Sequence, residues 1–99
     1  MAFESWMGLE VTDDVGYNAY REGMKPILEK YGGGFRYDFR IAETLRSDSS
    51  KPINRVFAIY FESKASRENF FSDPEYKKVR EKYFTPSVNA VTTMAEFER

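Results

Sequence analysis

The segment from Arg55 to Glu62 constrains the fold more than any other part of the chain. Its side chains form two alternating sets, and both are apolar: Val56, Ala58 and Tyr60 in one, and Phe57, Ile59 and Phe61 in the other. A strand with this pattern is covered on both faces of its sheet. One layer of helices can cover only one face, so the sequence predicts a second cover for the other.

Three more strands are predicted around this segment. In residues 3–11, Phe3, Met7, Leu9 and Val11 alternate with Glu4, Trp6 and Glu10. In residues 35–45, Phe35, Tyr37, Phe39, Ile41 and Leu45 share one face, and Arg36, Asp38, Arg40, Ala42 and Thr44 share the other. In residues 88–97, Val88, Ala90 and Met94 face one way and Val91, Ala95 and Phe97 the other. Each run has the two-residue period of a strand.

The row Arg36-Asp38-Arg40 on one predicted face has two interpretations. It can be a solvated sheet face with weak ion pairing, which contributes a few tenths of a kcal/mol. It can also be a patch that binds anions, because the arginine fork fits carboxylates and phosphates. Residues 46–54 after this strand are polar and are predicted to form a flexible loop.

Helical patterns separate the strands. Thr12-Asp13-Asp14 can cap a helix that begins near Val15 and ends at Gly32-Gly33-Gly34. Its apolar stripe is Tyr17, Tyr20, Met24, Ile27, Leu28 and Tyr31, and Pro26 is expected to bend it. A second helix is expected to begin at Ser63.

This second helix is predicted to break at Ser72-Asp73, where a new helix begins. Asp73 is a favourable N-cap, and Pro74 suits the first helical position because the N–H that it lacks would be unpaired there. Ser72 with Glu75 is also a capping-box spacing, so the new helix could begin one residue earlier.

The order of elements is βαββαβ, which predicts an α+β, ferredoxin-like domain over residues 1–99. Its four-stranded antiparallel sheet has strands 3–11 and 55–62 in the centre and the helices on one face. The apolar residues on the other face would be exposed in a monomer, and a patch of that kind marks an association surface. A homodimer that packs sheet on sheet is the expected solution.

Composition excludes several kinds of chemistry. The chain has no histidine and no cysteine, so histidine general bases, thiolate nucleophiles, disulfides and zinc or haem ligation by these residues are excluded. No acidic cluster has the spacing of a calcium loop, and we predict neither a metal nor a cofactor. The 15 basic and 16 acidic side chains are not clustered, which argues against nucleic acid as a partner. No leader peptide or membrane span is recognised, and the expected location is the cytoplasm.

Three motifs together resemble a known family. They are Tyr17-x-x-Tyr20, Pro26-Ile27-Leu28-x-x-Tyr31-Gly32-Gly33, and Ser72-x-Pro74-Glu75-Tyr76. Over about Val11 to Phe97 the chain resembles domain-of-unknown-function family 1330, whose members are dimeric α/β-barrel proteins. It departs from the family at Asp38-Phe39-Arg40, where many members carry Arg-Gly-Gly. A pocket inferred from that family arginine is therefore not carried over.

The resemblance implies a fold similar to that of cofactor-free monooxygenases and small isomerases, and a shared fold does not carry shared chemistry. One hypothesis is a homodimer that binds a small hydrophobic or anionic ligand in a cleft between sheet and helices. A second is a cofactor-free enzyme acting on a small aromatic or lactone-like substrate, and a third is a structural subunit of a larger assembly. No catalytic residue is assigned. The residues chosen for the cleft, as aromatic walls with a few charges, are Trp6, Tyr17, Arg36, Asp38, Arg40, Tyr60 and Tyr76.

Overall fold

A four-stranded antiparallel sheet forms the framework of the protein in the computed structural model, which describes residues 2–99. Its strands are β1 (Phe3–Val11), β2 (Gly34–Arg40), β3 (Arg55–Phe61) and β4 (Val88–Glu98). The helices are α1 (Asp14–Lys30), α2 (Lys64–Ser72), α3 (Pro74–Val79) and the short α4 (Thr85–Ser87), and a π-helical segment, Arg80–Phe84, joins α3 to α4. None of these helices is long and apolar enough to cross a membrane.

The strand order β2-β3-β1-β4 confirms the prediction that β1 and β3 are central. β1 pairs with β3 so that Phe3 lies opposite Phe61 and Trp6 opposite Ala58. The odd-numbered residues of both strands face the helices, and their even-numbered residues face away. The side of the sheet that faces away from the helices is called the open face below.

The main core lies between the sheet and the helices. Its buried members from the sheet and from the helices are Leu9, Val11, Phe57, Ile59, Phe61, Tyr17, Tyr20, Met24, Leu28, Phe70 and Tyr76. Most of the predicted stripe of α1 is therefore buried, and Ile27 and Tyr31 pack against its edge. α1 continues through Pro26.

Side-chain caps fix the helix ends close to their predicted positions. Asp13 and Ser63 cap α1 and α2 by accepting hydrogen bonds from the backbone N–H of Gly16 and Ser66. Asp73, and not Ser72, caps α3. α1 ends in a turn at Gly32, where φ is 71°, a backbone conformation that glycine adopts without steric cost.

The predicted faces of β2 are wrong because the strand contains a β-bulge. β2 ends at Arg40, short of Leu45, and its register with β3 shifts between Phe35 and Tyr37. The extra residue, Arg36, reverses the alternation that follows it. Tyr37 pairs with Ala58 on the open face, whereas Asp38 pairs with Phe57 on the helix side.

β4 also departs from simple alternation. Its register with β1 shifts between Trp6 and Met7 and again between Glu10 and Val11. As a result Val88 and Val91, predicted to lie on opposite faces, both pack against the core. Ala95 and Phe97 do lie on one face, opposite Trp6 and Glu4 on β1.

Residues 41–54, predicted as strand end and flexible loop, fold back over part of the open face. A Cβ at Gly8 would lie 2.9 Å from Ile53 Cδ1, so the isoleucine packs directly on the β1 backbone. The Asn54 side chain accepts a hydrogen bond from Val11 N and donates one to Val11 O. Lys51 Nζ donates to the Val91 carbonyl at 3.1 Å. This segment is part of the second cover that β3 requires.

Candidate ligand-binding site

A cavity of about 120 Å³ lies between the sheet and the helices. The sheet contributes apolar side chains to it, among them Met7, Leu9, Phe57, Ile59 and Val91. The helices contribute mainly aromatic ones: Tyr17, Tyr20, Phe70, Phe71, Tyr76 and Phe84, together with Met24. A largely apolar lining with a few polar groups is typical of small-molecule sites.

A pair of tyrosine hydroxyls supplies hydrogen-bonding atoms in this cavity. The Tyr20 and Tyr76 oxygens lie 2.9 Å apart, although the residues are 56 positions apart in the chain. Tyr20 belongs to the buried stripe of α1, and Tyr76 is held by the cap of α3, because Asp73 Oδ1 accepts a hydrogen bond from Tyr76 N. Burial raises the pKa of both phenols. Both therefore stay neutral near pH 7 and can donate or accept hydrogen bonds.

A charged cluster adjoins the cavity at Tyr17. Arg21 Nε donates to the Tyr17 hydroxyl at 2.8 Å, and the Arg21 guanidinium lies 4.0 Å from the centre of the Phe35 ring. Asp38 accepts two hydrogen bonds of 2.8 Å from Arg55 and also pairs with Arg21. Partial burial by itself raises the pKa of Asp38, but the hydrogen bonds and charges of the two arginines outweigh it and hold the pKa below its ordinary value.

Two further arginines line the cavity. Arg67 pairs with Glu96 on β4 at 2.7 Å. Arg80, the first residue of the π-helical segment, lines both the cavity and a shallow groove outside it. Phe71 and Tyr76 also line both spaces, so these three residues mark where the cavity opens to the surface.

The residues predicted for one cleft are divided between two faces of the sheet. Tyr17 and Tyr76 line the cavity, and Asp38 lies beside it through its contact with Arg21. Arg40 lies on the helix side but near Asp14, 3.9 Å away, and does not line the cavity.

Trp6, Arg36 and Tyr60 lie on the open face, around a buried carboxylate. Glu4 is 0% exposed, and accepts hydrogen bonds from Arg36 Nε at 2.7 Å, Arg99 Nη1 at 2.9 Å and Trp6 Nε1 at 2.8 Å. The Arg36 guanidinium also lies over the Tyr60 ring. Burial by itself raises the pKa of Glu4, but its three hydrogen-bond donors outweigh that effect and lower the pKa. Glu4 is thus ionised, and its hydrogen bonds hold Trp6, Arg36 and Arg99 in place.

Sequence reasoning missed several residues that line the cavity. The sequence places Tyr20 in the helix stripe and in a family motif, and neither pattern reveals that its hydroxyl meets that of Tyr76. Arg21, Arg67 and Arg80 had no distinguishing signal, because an arginine on a helix is usually solvated. Among residues 2–99, no group of three or more acidic side chains is placed to bind a metal.

The sequence profile of a domain of unknown function, DUF1330, matches residues 6–96. A search of curated proteins finds no significant match. Among solved structures, a protein of unknown function from Rhodopseudomonas palustris superposes with a TM-score of 0.80 at 16% identity, covering 99% of this chain and 82% of that one.

Two other solved structures carry the same fold. A ferredoxin-like DABB family protein from Mesorhizobium loti has a TM-score of 0.67 at 12% identity, covering 99% of this chain and 96% of that one. A protein from Bacteroides fragilis, described as dimeric, ferredoxin-like and of unknown function, has a TM-score of 0.61 at 13% identity with the same coverage of both chains. At identities this low, structural similarity shows the fold alone. That fold is the predicted ferredoxin-like one.

Proposed function

The chain belongs to the DUF1330 family, which is defined by a domain of unknown function, and from that premise we propose that it is a homodimer that binds a small hydrophobic or anionic molecule. The proposed site is the cavity between the sheet and the helices. The observation that carries the proposal is the combination of an apolar lining with the Tyr20–Tyr76 hydroxyl pair, 2.9 Å apart.

The size of the cavity limits the ligand to about one ring, with any substituent at the opening. An engineered apolar cavity of about 150 Å³ accommodates benzene, and the cavity here is about 120 Å³ with an opening to the surface. Aromatic walls favour a flat apolar body, and the tyrosine hydroxyls offer hydrogen bonds to one polar substituent.

The homodimer is supported by what remains exposed on the open face. Tyr37 and Phe39 stack 5.9 Å apart and are 50% and 48% exposed. Phe97 and Met94 add further apolar surface on β4. Ferredoxin-like relatives described as dimeric, such as the one from Bacteroides fragilis, are consistent with a second copy in this place.

The alternative of a cofactor-free monooxygenase- or isomerase-like enzyme requires a group that exchanges a proton near neutral pH. Burial raises the pKa of Tyr17, Tyr20 and Tyr76, and the two arginines lower the pKa of Asp38. These shifts move all four groups away from neutrality, which favours binding over proton transfer by the protein.

The test is to titrate benzamide, a neutral single-ring probe, into the protein and its Val91→Phe variant, by calorimetry and by NMR. Val91 lines the cavity, and a larger ring there would fill it. We expect saturable binding that the variant loses. Val15→Phe, at an α1 residue that is 82% exposed, is the matched control and should bind like the original protein. Equal binding by the Val91 variant would contradict the proposal, and so would failure of the original protein to bind either benzamide or its charged analogue benzoate.

A further inference from the structure

The three arginines that line the cavity differ in how their charges are compensated. Arg21 pairs with Asp38, and Arg67 pairs with Glu96. Arg80 forms no ion pair with any carboxylate of residues 2–99. Arg80, an exposed residue, is therefore the one of the three whose charge is not paired by a carboxylate of residues 2–99 and is free to meet a ligand.

Arg80 is held at the opening of the cavity by a ring. Its guanidinium carbon lies 5.2 Å from the centre of the Phe84 ring, and that ring lies 4.9 Å from the ring of Tyr20. In the groove outside, Lys77 and Glu81 carry opposite charges, so they add no net charge beside it. Phe84 thus lies between the Arg80 guanidinium and the Tyr20 ring, both of which line the cavity.

The backbone at this position is unusual. Arg80–Phe84 is a π-helical segment, in which Thr85 N–H donates to the Arg80 carbonyl five residues before it. Such turns are rare and frequently occur at functional sites. Here the segment contributes two side chains, Arg80 and Phe84, to the cavity lining.

We propose that Arg80 binds the carboxylate of a small monocarboxylate whose apolar, ring-sized body occupies the cavity. The inference rests on the proposed function, because it names the chemical class of the ligand for that site. A guanidinium fork fits a carboxylate with two parallel hydrogen bonds. One uncompensated cation balances one negative charge, and a dianion would leave a second charge beside an apolar space.

The test compares benzoate with benzamide, which have nearly the same shape and differ in charge. For the original protein we expect benzoate to bind at least tenfold more tightly than benzamide. Arg80→Gln should remove this preference by weakening benzoate about tenfold, and it should leave benzamide within about twofold, because a charge-assisted hydrogen bond is lost and the apolar contacts remain.

Lys78→Gln is the matched control. It removes one positive charge from α3 at an exposed residue that does not line the cavity, and it should keep the preference for benzoate. Equal affinities for the two probes in the original protein would overturn the inference while leaving the proposed function standing, and so would an undiminished preference in Arg80→Gln. Absence of binding by both probes would overturn both.

Discussion

At the scale of single residues, Asp73 connects more of the structure than a helix cap requires. Its side chain accepts hydrogen bonds from Glu75 N at 2.8 Å and from the Tyr31 hydroxyl at 2.7 Å, and it lies 3.5 Å from Lys30 Nζ. It thereby ties the end of α1 to the start of α3. The hydrogen bond from Tyr31, followed by those from the backbone of Glu75 and Tyr76, lowers the pKa of Asp73 to about 2.

Because of this lowered pKa, the contribution of Asp73 to folding stability depends on pH. A carboxyl whose pKa is lower in the folded state stabilises the fold fully above its unfolded pKa, near 3.8, and this contribution is lost as the pH falls toward about 2. Asp73→Asn removes the ionisation and keeps an oxygen acceptor. We expect the stability difference between the two proteins, measured by urea unfolding, to shrink between pH 4 and pH 2. A difference that stays constant over this range would contradict the assignment.

The cap itself can be tested by comparing two neighbouring substitutions. Asp73→Ala leaves the first backbone N–H groups of α3 and the Tyr31 hydroxyl without their acceptor and should lower the melting temperature by about 5 °C or more. Ser72→Ala is the control, because Ser72 ends α2 and does not cap α3, so it should change the melting temperature little. The opposite order of the two effects would restore the capping-box interpretation.

At the scale of elements, β2 illustrates why a regular alternation can mislead. The bulge places Arg36 on the open face, where it binds the buried Glu4, and Asp38 on the helix side, where it binds Arg55. A regular strand would have put both residues on one face and could not have formed both ion pairs. The contacts that favour the bulge come from β1 and β3, so nothing within residues 35–40 reveals it.

Because their ion pairs differ in burial, Arg36 and Arg40 are expected to contribute unequally to the free energy of unfolding. Arg36→Gln removes one of two arginines from a carboxylate that is 0% exposed and should cost about 1–3 kcal/mol. Arg40→Gln loses an exposed pair 3.9 Å apart and should cost less than about 0.5 kcal/mol. Urea unfolding of both variants is the measurement. Equal costs would contradict the pairing of Arg36 with the buried Glu4.

The elements that sequence patterns predicted well are those set by local rules. The stripe of α1, the caps Asp13, Ser63 and Asp73, and the central position of β3 follow from periodicity, capping chemistry and chain order. The cavity does not follow from such rules. It depends on Tyr20 and Tyr76 meeting across 56 residues and on a π-helical segment that places Arg80, and tertiary packing decides both.

At the scale of the whole molecule, the second cover of β3 has two parts. Residues 41–54 cover the open face near Gly8, and Trp6 and Tyr37, whose rings lie 5.5 Å apart, flank Ala58 where the three strands pair. Ala58 is 0% exposed for this reason. The outer surfaces of Tyr37, Phe39 and Phe97 remain without cover from the chain itself.

Because the chain itself covers part of the open face, only a substitution in the uncovered part can test the proposed homodimer. Ile59 faces the core and Ala58 is already buried, so a charge at either position should unfold the chain and would report nothing on association. Phe39 is half-exposed on the open face, and a carboxylate there should oppose burial against a second copy without disturbing the main core.

We therefore expect the original protein to be a dimer by light scattering at micromolar concentration, and Phe39→Glu to be a folded monomer with an unchanged circular dichroism spectrum. A stable two-fold interface buries about 1,000 Å² of surface or more, and Tyr37 and Phe39 are large apolar side chains that the open face exposes for it. Val15→Glu, on the exposed side of α1, should remain dimeric and controls for the added charge. A folded monomer of the original protein would contradict the proposed homodimer, and a Phe39→Glu variant that is still dimeric would place its interface elsewhere.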